Sequence, residues 1–461
     1  MKKDFIFKSK RDVPAVEILT SDKVIASAAA NLARPLTVEI IRSAVDKIKA
    51  DIGKKSKKIT YNSFRREIIN ELELVSLKKI GRIINGTGIL VHTNLGRSPL
   101  SKSLFENIKE NVIGYGNLEF DVASGKRGKR GELAEKYLSL LSQAEAGTIV
   151  NNNAASLFLI INTLANRRKV VISRGELVQI GGGFRIPDII KKSGARLLEI
   201  GTTNITELKD YEEAMQQNPA LILKVHRSNF SIDGFTGETD IGALVDLGRK
   251  YDVPVVNDLG SGVFINTSEF IESKEPTVPE SVRSGAGLTC FSGDKLLGGL
   301  QAGLVVGNKE LVAKIKRNPV YRAMRVDKVV FSAMEVLLRY YLDGNWKENI
   351  KLWRLAAVDE PELHKRGRSI LKKISAGDKI TLEASQGQMG GGSLPEVNLP
   401  SAGLVFHSKL SPRKIAGLFR TSRPSVIGRI KDKKFMIDLK AIDEDDIDLL
   451  VDIIKNIIPG L

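Results

Sequence analysis

A lysine close to the end of an apolar segment is the residue of this sequence best suited to covalent chemistry. Lys295 follows the strand-like run Leu288–Phe291 and the small-residue turn Ser292-Gly293. A lysine held by a core strand, in surroundings that disfavour its charged form, can use its free amine to form a Schiff base. A lone lysine in a turn is more often a surface residue. The interpretation therefore depends on what the chain places around it.

Polar residues follow three other strand-like runs. Asn151–Ser156 opens an apolar helix, and the N–H groups and dipole at such a helix start suit a phosphate. Asp258 could pair with a protonated ring nitrogen, and His226 could pack over the ring. Taken singly, such residues are more often helix caps or ordinary strand-end residues. Their order, with Ser292-x-x-Lys295 last, matches that in pyridoxal phosphate (PLP) enzymes of the aspartate aminotransferase fold.

The elements that must position these residues alternate between strand and helix. The strand-like runs are 147–150, 169–173, 196–200, 220–225, 254–257 and 287–291. This alternation predicts a mostly parallel sheet covered by helices, with ligands at the carboxyl ends of the strands. We therefore predict an α/β protein of the PLP-dependent transferase fold (type I), whose large catalytic domain spans 81–330.

The two flanking regions have a different pattern. Residues 1–80 predict a basic helical domain, with amphipathic helices near 38–48 and 61–75, that could lie on RNA phosphates. A solvated helical surface is the alternative. The candidate RNA contacts are Arg42, Lys54, Lys55, Lys57, Lys58, Arg65 and Arg66. Residues 331–461 predict a small α/β domain, with strands at 380–384 and 403–407 and a hairpin over 426–439, joined by a long helix through about 327–355.

Composition narrows the function classes. The net charge of +17 favours a polyanionic partner or substrate, although simple solubility is an equal alternative. A single cysteine, Cys290, excludes an internal disulfide, and four scattered histidines argue against a metal site. The chain lacks an apolar run of about 18 residues and a signal core at its start, so we expect a cytoplasmic protein.

Several longer strings of residues, spread over essentially the whole chain, carry a narrower resemblance to a known family. They are Asn85–Arg97, Asn151–Ala155, Ser173–Leu177, Phe184–Asp188, Phe291–Gly299, Arg322–Lys328, 390–395 and Val426–Arg429. In these strings the sequence resembles the bacterial L-seryl-tRNA(Sec) selenium transferase family. It departs from the family pattern at Gln179, Gly183, Ile205 and Leu300.

This resemblance implies a role for each candidate residue. Lys295 would carry PLP and act as the base for the Cα proton, while Asp258 would face the pyridine nitrogen. The remaining assignments are Asn153, Ala154, Ala155 and Ser292 for the cofactor phosphate, Arg97, Arg322 and Arg325 for the phosphate of selenophosphate, and Arg429 and Asp294 for substrate orientation and active-site support. Arginine suits the donor site because its planar charge is permanent.

The resemblance also implies a reaction. Seryl-tRNA(Sec) would become selenocysteinyl-tRNA(Sec) through β-elimination of water, an aminoacrylyl intermediate and addition of selenium from selenophosphate. The N-terminal domain would grip the tRNA, and the chain would assemble as a homodecamer, a pentamer of dimers.

Two alternatives stay open. A PLP lyase or transferase of the same fold could act on a free amino acid, although relatives of that kind commonly lack the N-terminal domain. A tRNA-binding protein with an inactive PLP fold would not need Lys295, Asp258 and the arginines.

Overall fold

The computed structural model describes residues 4–52, 59–228, 230, 232, 234–269, 274–375, 377–390 and 397–461. The chain divides into two compact units. One comprises Met1–Ile83 with Arg423–Ser425, and the other comprises Ile84–Ser422 with Val426–Leu461. The predicted domain limits at 80/81 and 330/331 stay predictions. Among the described residues, no helix is both long enough and apolar enough to cross a membrane.

The first unit is helical. Its described α-helices are Val16–Thr20, Lys23–Ala28, Arg34–Asp51 and Tyr61–Ser76, after a short 3-10 turn at Lys10–Asp12. The two longer helices confirm the predicted amphipathic segments, with bounds extended by a few residues. Ile41, Val45 and Ile48 recur at helical spacing and are buried in one core with Ile68 and Leu72 of the last helix.

The second unit is built on a seven-stranded sheet. Its strands in chain order are β1 (Ala146–Val150), β2 (Lys169–Ser173), β3 (Arg196–Ile200), β4 (Leu221–Val225), β5 (Val255–Gly260), β6 (Leu288–Ser292) and β7 (Gly303–Gly307). The order across the sheet is β1-β7-β6-β5-β4-β2-β3, and only β7 runs antiparallel to its neighbours. All six predicted strands are confirmed. The apolar segment at 304–306, which was not among the predicted strands, belongs to a seventh strand.

Helices cover both faces of this sheet. They are Lys102–Ile113, Glu132–Ser142, Asn153–Ala165, Ile186–Lys192, Leu208–Met215, Ile241–Tyr251, Val278–Arg283, Lys309–Arg317, Pro319–Ala323 and Lys328–Leu342. Side chains of one apolar core include Leu138, Phe291 and Leu337, whereas another contains Leu157 and Leu223. This layering is that of an α/β fold.

The expected single helix through about 327–355 is wrong. The helix ends at Leu342, and two short helices, Trp346–Asn349 and Lys351–Ala356, follow. Gly344 lies between Leu342 and the first short helix, and its φ of 74° is a left-handed conformation that stops a right-handed helix.

A five-stranded sheet forms the C-terminal part of the second unit. Its order is Arg429–Lys431, Lys434–Asp438, Asn398–Phe406, Ile380–Gly390 and Ile89–Val91, and the last strand alone pairs in parallel. Helices Glu360–Ile374, Pro412–Arg420 and Ile447–Ile457 pack with this sheet. The remaining short strands of the described residues form separate two-stranded pairs, and they are Ile83–Asn85, Phe120–Asp121, Lys126–Arg127, Gln179–Ile180, Phe184–Arg185 and Ser425–Ile427. The predicted hairpin is confirmed. Residues 391–395 of the family-like string 390–395 lie outside the described residues.

Candidate active site

Lys295 lies in the turn after β6, and only 7% of its surface is exposed. Burial is the main cause that lowers the pKa of its amine, and the charge of Asp258 opposes this effect. Gly260, with a φ of 66°, comes so close that a Cβ there would lie 3.7 Å from Nζ of Lys295. The alternative that Lys295 is a surface lysine is therefore wrong.

Asp258 lies within β5 and is 6% exposed. Burial raises the pKa of its carboxyl group above the ordinary value, although several hydrogen bonds oppose this rise. Nδ2 of Asn153 donates to Oδ1 at 2.8 Å, and the N–H of Gly260 donates to the same oxygen at 3.1 Å. A further cationic donor at this carboxylate, such as a protonated ring nitrogen, would stabilise its charge.

His226 follows β4 and is joined to Asp258 through the backbone. Its N–H donates to the carbonyl oxygen of Asp258 at 2.9 Å. Its Nε2 lies 3.2 Å from Oε1 of Glu275, a carboxylate that is only 3% exposed. The imidazole thus lies beside a buried negative charge, at the edge of the sheet where Asp258 lies.

The sheet register brings the predicted phosphate-binding residues to one edge. Gly303 at the start of β7 pairs with Val150 at the end of β1 and with Ser292 at the end of β6. The helix Asn153–Ala165 begins three residues after Val150, so the positive end of its dipole lies near the same edge. The N–H of Ala155 is already bonded to Oδ1 of Asn152 at 2.8 Å. The side chain of Asn153 is bonded to Asp258, whereas Ala154 is partly exposed.

Arg97 and Asp294 form a close ion pair. Nη1 of Arg97 lies 3.0 Å from each carboxylate oxygen of Asp294. Arg97 has a φ of 64°, and its N–H donates to the carbonyl oxygen of His92 at 2.9 Å. Both residues line a cleft of about 530 Å³ together with Ser98 and Leu300. Asp294 therefore fixes the guanidinium of Arg97, whose side chain as a whole is 37% exposed.

The backbone also brings Arg325 to the carboxyl edge of β1. Arg325 forms an isolated bridge with Val150, and the N–H of Asn151 donates to the carbonyl oxygen of Met324 at 3.0 Å. Arg322 lies on the short helix Pro319–Ala323 just before it, and both arginines are exposed.

Arg429 lies in the smaller sheet. Its Nη2 donates to Oδ2 of Asp438 at 2.7 Å, and the Asp438 side chain is fully buried. Asp438 also accepts hydrogen bonds from the hydroxyl groups of Ser385 and Ser401, each at 2.7 Å. The charge of Arg429 is therefore already balanced by a structural carboxylate.

The candidate RNA contacts belong to the first unit. Arg42 and Arg66 are exposed, whereas Arg65 is partly buried and bonded to Asp22. The predicted contacts Lys54, Lys55, Lys57 and Lys58 lie outside the described residues. Residues 1–83 contain 19 lysines and arginines against 10 aspartates and glutamates, which gives this unit an excess of positive charge.

The unsatisfied polar groups of the second unit support a polar ligand next to Lys295. Among the described residues, buried oxygens without a hydrogen-bond partner include Oγ of Ser98, Oδ1 of Asn153 and Oγ of Ser261. The backbone of Ser98 is hydrogen-bonded to Asp294, and the backbone of Ser261 is hydrogen-bonded to Leu296, the neighbour of Lys295. The side chain of Asn153 is bonded to Asp258. Buried polar groups are normally satisfied, so a bound ligand would remove a cost here. A buried amine, a buried carboxylate and a helix N-terminus fit PLP.

Sequence reasoning missed three residues of this site. Gly260 and Ser261 come just after Asp258 and Leu259, so attention to the whole strand end would have found them. Glu275 comes from a loop far along the chain from its partner His226, and neither its spacing nor its neighbours signal the contact.

Comparisons with known proteins identify the family of this chain. The family model described as SelA, L-seryl-tRNA selenium transferase, matches residues 83–443. The L-seryl-tRNA(Sec) selenium transferase of Aquifex aeolicus is 42% identical over 414 residues, which cover 89% of this chain and 91% of the relative. The protein of the same name from Geotalea daltonii is 39% identical over 458 residues, covering 97% and 99%.

A solved structure shows the same fold. D-glucosaminate-6-phosphate ammonia-lyase superposes with a TM-score of 0.58 at 19% identity, over 83% of this chain and 96% of the other. The predicted fold class and family are thus confirmed. The chain belongs to the L-seryl-tRNA selenium transferase family.

Proposed function

We propose that this protein converts seryl-tRNA(Sec) to selenocysteinyl-tRNA(Sec), with PLP as cofactor and selenophosphate as selenium donor. The observation that carries the proposal is the buried pair of Lys295 and Asp258 at the carboxyl edge of the sheet. Relatives that bear the name of this activity align along almost the whole chain, which supports the same reaction class here.

The residues that would hold PLP come from four strand ends. Asp258 would pair with the pyridine nitrogen, and His226 would pack against the ring. Ser292 and the start of helix Asn153–Ala165 would receive the phosphate. Bound PLP supplies an electron sink that stabilises negative charge on Cα of the serine moiety.

Lys295 would do two things at this site. Its amine would hold the cofactor covalently and, after displacement by the amino group of the substrate, would take the proton from Cα. Burial serves both roles, because it lowers the pKa of the amine and so increases the fraction that is a free base near neutral pH.

Arg97, Arg322 and Arg325 would receive the anionic selenium donor. Arg97 offers a partly exposed side chain that Asp294 orients, and the segment holding the other two arginines is bonded to the end of β1. The incoming anion would share Arg97 with Asp294, and the permanent positive charges of Arg322 and Arg325 would stabilise it further.

The basic first unit would bind seryl-tRNA(Sec) through phosphate contacts made by Arg42 and Arg66.

Since the product of the reaction is used in translation, we expect the protein to act in the cytoplasm. We further expect a homodecamer, which the mass of the purified protein in solution would test.

The absorption spectrum of the purified protein with PLP tests the proposal. We expect a band near about 420 nm, the usual region for PLP bound to a lysine, that Lys295→Ala abolishes. Lys309→Ala, which removes an exposed lysine of the same unit, should keep the band. The band should change with seryl-tRNA(Sec) but not with free serine, and selenophosphate should then give selenocysteinyl-tRNA(Sec).

Other results would favour the alternatives. A spectral change with free serine would favour a lyase acting on amino acids. If no band forms after PLP is supplied, the enzymatic proposal fails and a tRNA-binding protein becomes the better account.

A further inference from the structure

We propose that Lys316, Glu135, Thr148 and Tyr321 form a positioning network that holds Arg322 and Arg325 ready for the selenium donor. The inference rests on the function proposed above, because that function assigns the donor anion to these arginines. None of the four residues was singled out by the sequence, and none belongs to the site described so far.

The four side chains form one continuous chain of hydrogen bonds. Nζ of Lys316 lies 2.5 Å from Oε2 of Glu135, and Oε1 of Glu135 accepts a hydrogen bond from Oγ1 of Thr148 at 2.8 Å. Oγ1 of Thr148 lies 3.0 Å from the hydroxyl oxygen of Tyr321. Thr148 is fully buried and Tyr321 is 8% exposed, so water has little access to the inner part of the chain.

The protons of this chain can be assigned. Burial is the main cause that raises the pKa of Glu135, and the contacts with Lys316 and Thr148 oppose that rise. Oγ1 of Thr148 donates to Oε1 of Glu135, and this bond uses the single proton of the Thr148 hydroxyl group. The hydroxyl group of Tyr321 must therefore donate to Thr148.

The network joins four different elements. Glu135 lies on helix Glu132–Ser142, Thr148 in β1, Lys316 on helix Lys309–Arg317 and Tyr321 on helix Pro319–Ala323. β1 is the strand whose end leads into the predicted phosphate-binding helix. The short helix that carries Arg322 is therefore bonded to the same strand that places the cofactor phosphate site.

The ring of Tyr321 passes this constraint to Arg325. Cζ of Arg325 lies 5.8 Å from the centre of the Tyr321 ring, within the range of a cation–π contact. The bridge to Val150 and the bond from Asn151 to Met324 hold the backbone on either side.

Steady-state kinetics of the PLP-loaded protein test the network. We expect Tyr321→Phe and Thr148→Val each to raise the KM for selenophosphate at least about fivefold, roughly the effect of one buried hydrogen bond. The KM for seryl-tRNA(Sec), kcat and the band near about 420 nm should change by less than about twofold. Thr148→Ser keeps the hydroxyl group and should restore the KM for selenophosphate.

Tyr340→Phe is the matched control. Tyr340 is also buried, at 6% exposure, and its hydroxyl group accepts a hydrogen bond from Nδ2 of Asn107 at 3.3 Å. Losing this hydroxyl group should leave the KM for selenophosphate unchanged, even if stability falls. An unchanged KM in both Tyr321→Phe and Thr148→Val would overturn the proposal, as would equal rises for both substrates or loss of the PLP band.

Hydrogen exchange separates failure of the network from failure of the proposed function. If the unaltered protein does not use selenophosphate, the function fails, and the amides of residues 319–326 are compared instead. Faster exchange there in Tyr321→Phe than in Tyr340→Phe would support the network, whereas equal exchange would overturn it.

Discussion

Arg65 and Arg66 are neighbours in the sequence, yet the structure gives them different surroundings. Nε and Nη2 of Arg65 lie 3.2 and 2.7 Å from Oδ1 of Asp22, and Asp22 accepts the N–H groups of Val24 and Ile25 at the start of its helix. Burial raises the pKa of Asp22, but these hydrogen bonds outweigh it and leave the pKa below the ordinary value. Arg66 is exposed. At the scale of single residues, Arg65 is thus a structural residue and Arg66 is available to a ligand.

Charge removal at these arginines should separate the two roles. We expect the double variant Arg42→Ala, Arg66→Ala to bind tRNA(Sec) more weakly and to lower the slope of log K against log salt by about one for each lost phosphate contact. Arg65→Ala should instead lower the melting temperature, because it leaves Asp22 partly buried without its partner. Filter binding at several salt concentrations and thermal melting measure these effects. A weaker tRNA complex with unchanged melting in Arg65→Ala would contradict the assignment.

At the scale of elements, the start of β7 and the start of helix Asn153–Ala165 meet at Gly303. A Cβ at this glycine would lie 2.1 Å from the carbonyl oxygen of Asn152 and 2.3 Å from Oγ of Ser156. Neither distance is possible for real atoms, so the two elements approach this closely only because residue 303 has no side chain. The position of the helix start at the edge of the sheet depends on this contact.

Gly303→Ala should therefore impair cofactor binding as well as stability. We expect a loss of about 1–3 kcal/mol in the free energy of unfolding from overpacking and a loss of about tenfold in PLP affinity. Gly417→Ala is the control, since no atom lies within 4 Å of its Cβ position on helix Pro412–Arg420 and alanine favours a helix. Absorbance titration with PLP and thermal melting provide the measurements. Normal PLP affinity in Gly303→Ala would show that the helix start does not hold the cofactor.

At the scale of the whole molecule, stability should depend on pH through one buried lysine. Lys440 is 3% exposed, and its Nζ donates to the carbonyl oxygens of Ala356 and Val358 at 3.1 and 2.5 Å. Burial lowers its pKa to about 8, against the opposing charges of Asp438 and Asp359. Lys440 thus joins the C-terminal sheet to the segment after the broken linking helix, at the cost of burying a charge.

The sign of the pH effect follows from this lowered pKa. Between about pH 8 and 10.5 the unfolded chain binds the lysine proton more tightly than the folded protein does, so folding gains stability as the pH rises. Full deprotonation of Lys440 would raise the free energy of unfolding by up to about 3 kcal/mol relative to the fully protonated protein. We expect the melting temperature of the unaltered protein to rise relative to that of Lys440→Met between pH 7.5 and 10. Lys431→Met, at an exposed position, should show no such difference, and parallel curves for all three proteins would contradict the prediction.

The sequence by itself determined the strands, the family and the residue types of the candidate site. Apolar runs of strand length mark buried parallel strands. Lys295 and Asp258 stand out because their order in the chain, after a helix start that suits a phosphate, matches that in PLP enzymes of the aspartate aminotransferase fold. Side chains of this kind are recognisable from their neighbours in the chain. The position of Lys295, buried at the carboxyl edge of the sheet, agrees with that analysis.

Only the tertiary structure decided how the charges pair. Asp294 holds Arg97, Asp438 holds Arg429, Glu275 lies beside His226, and Glu135 links Lys316 to Thr148. Most of these partners lie far apart in the chain, and the pattern of one sequence carries no information on which distant side chains meet. The same reason explains why the parallel pairing of Ile89–Val91 and the antiparallel β7 were missed. Pairing is a property of the packed fold, because distance and burial set the energy of each contact.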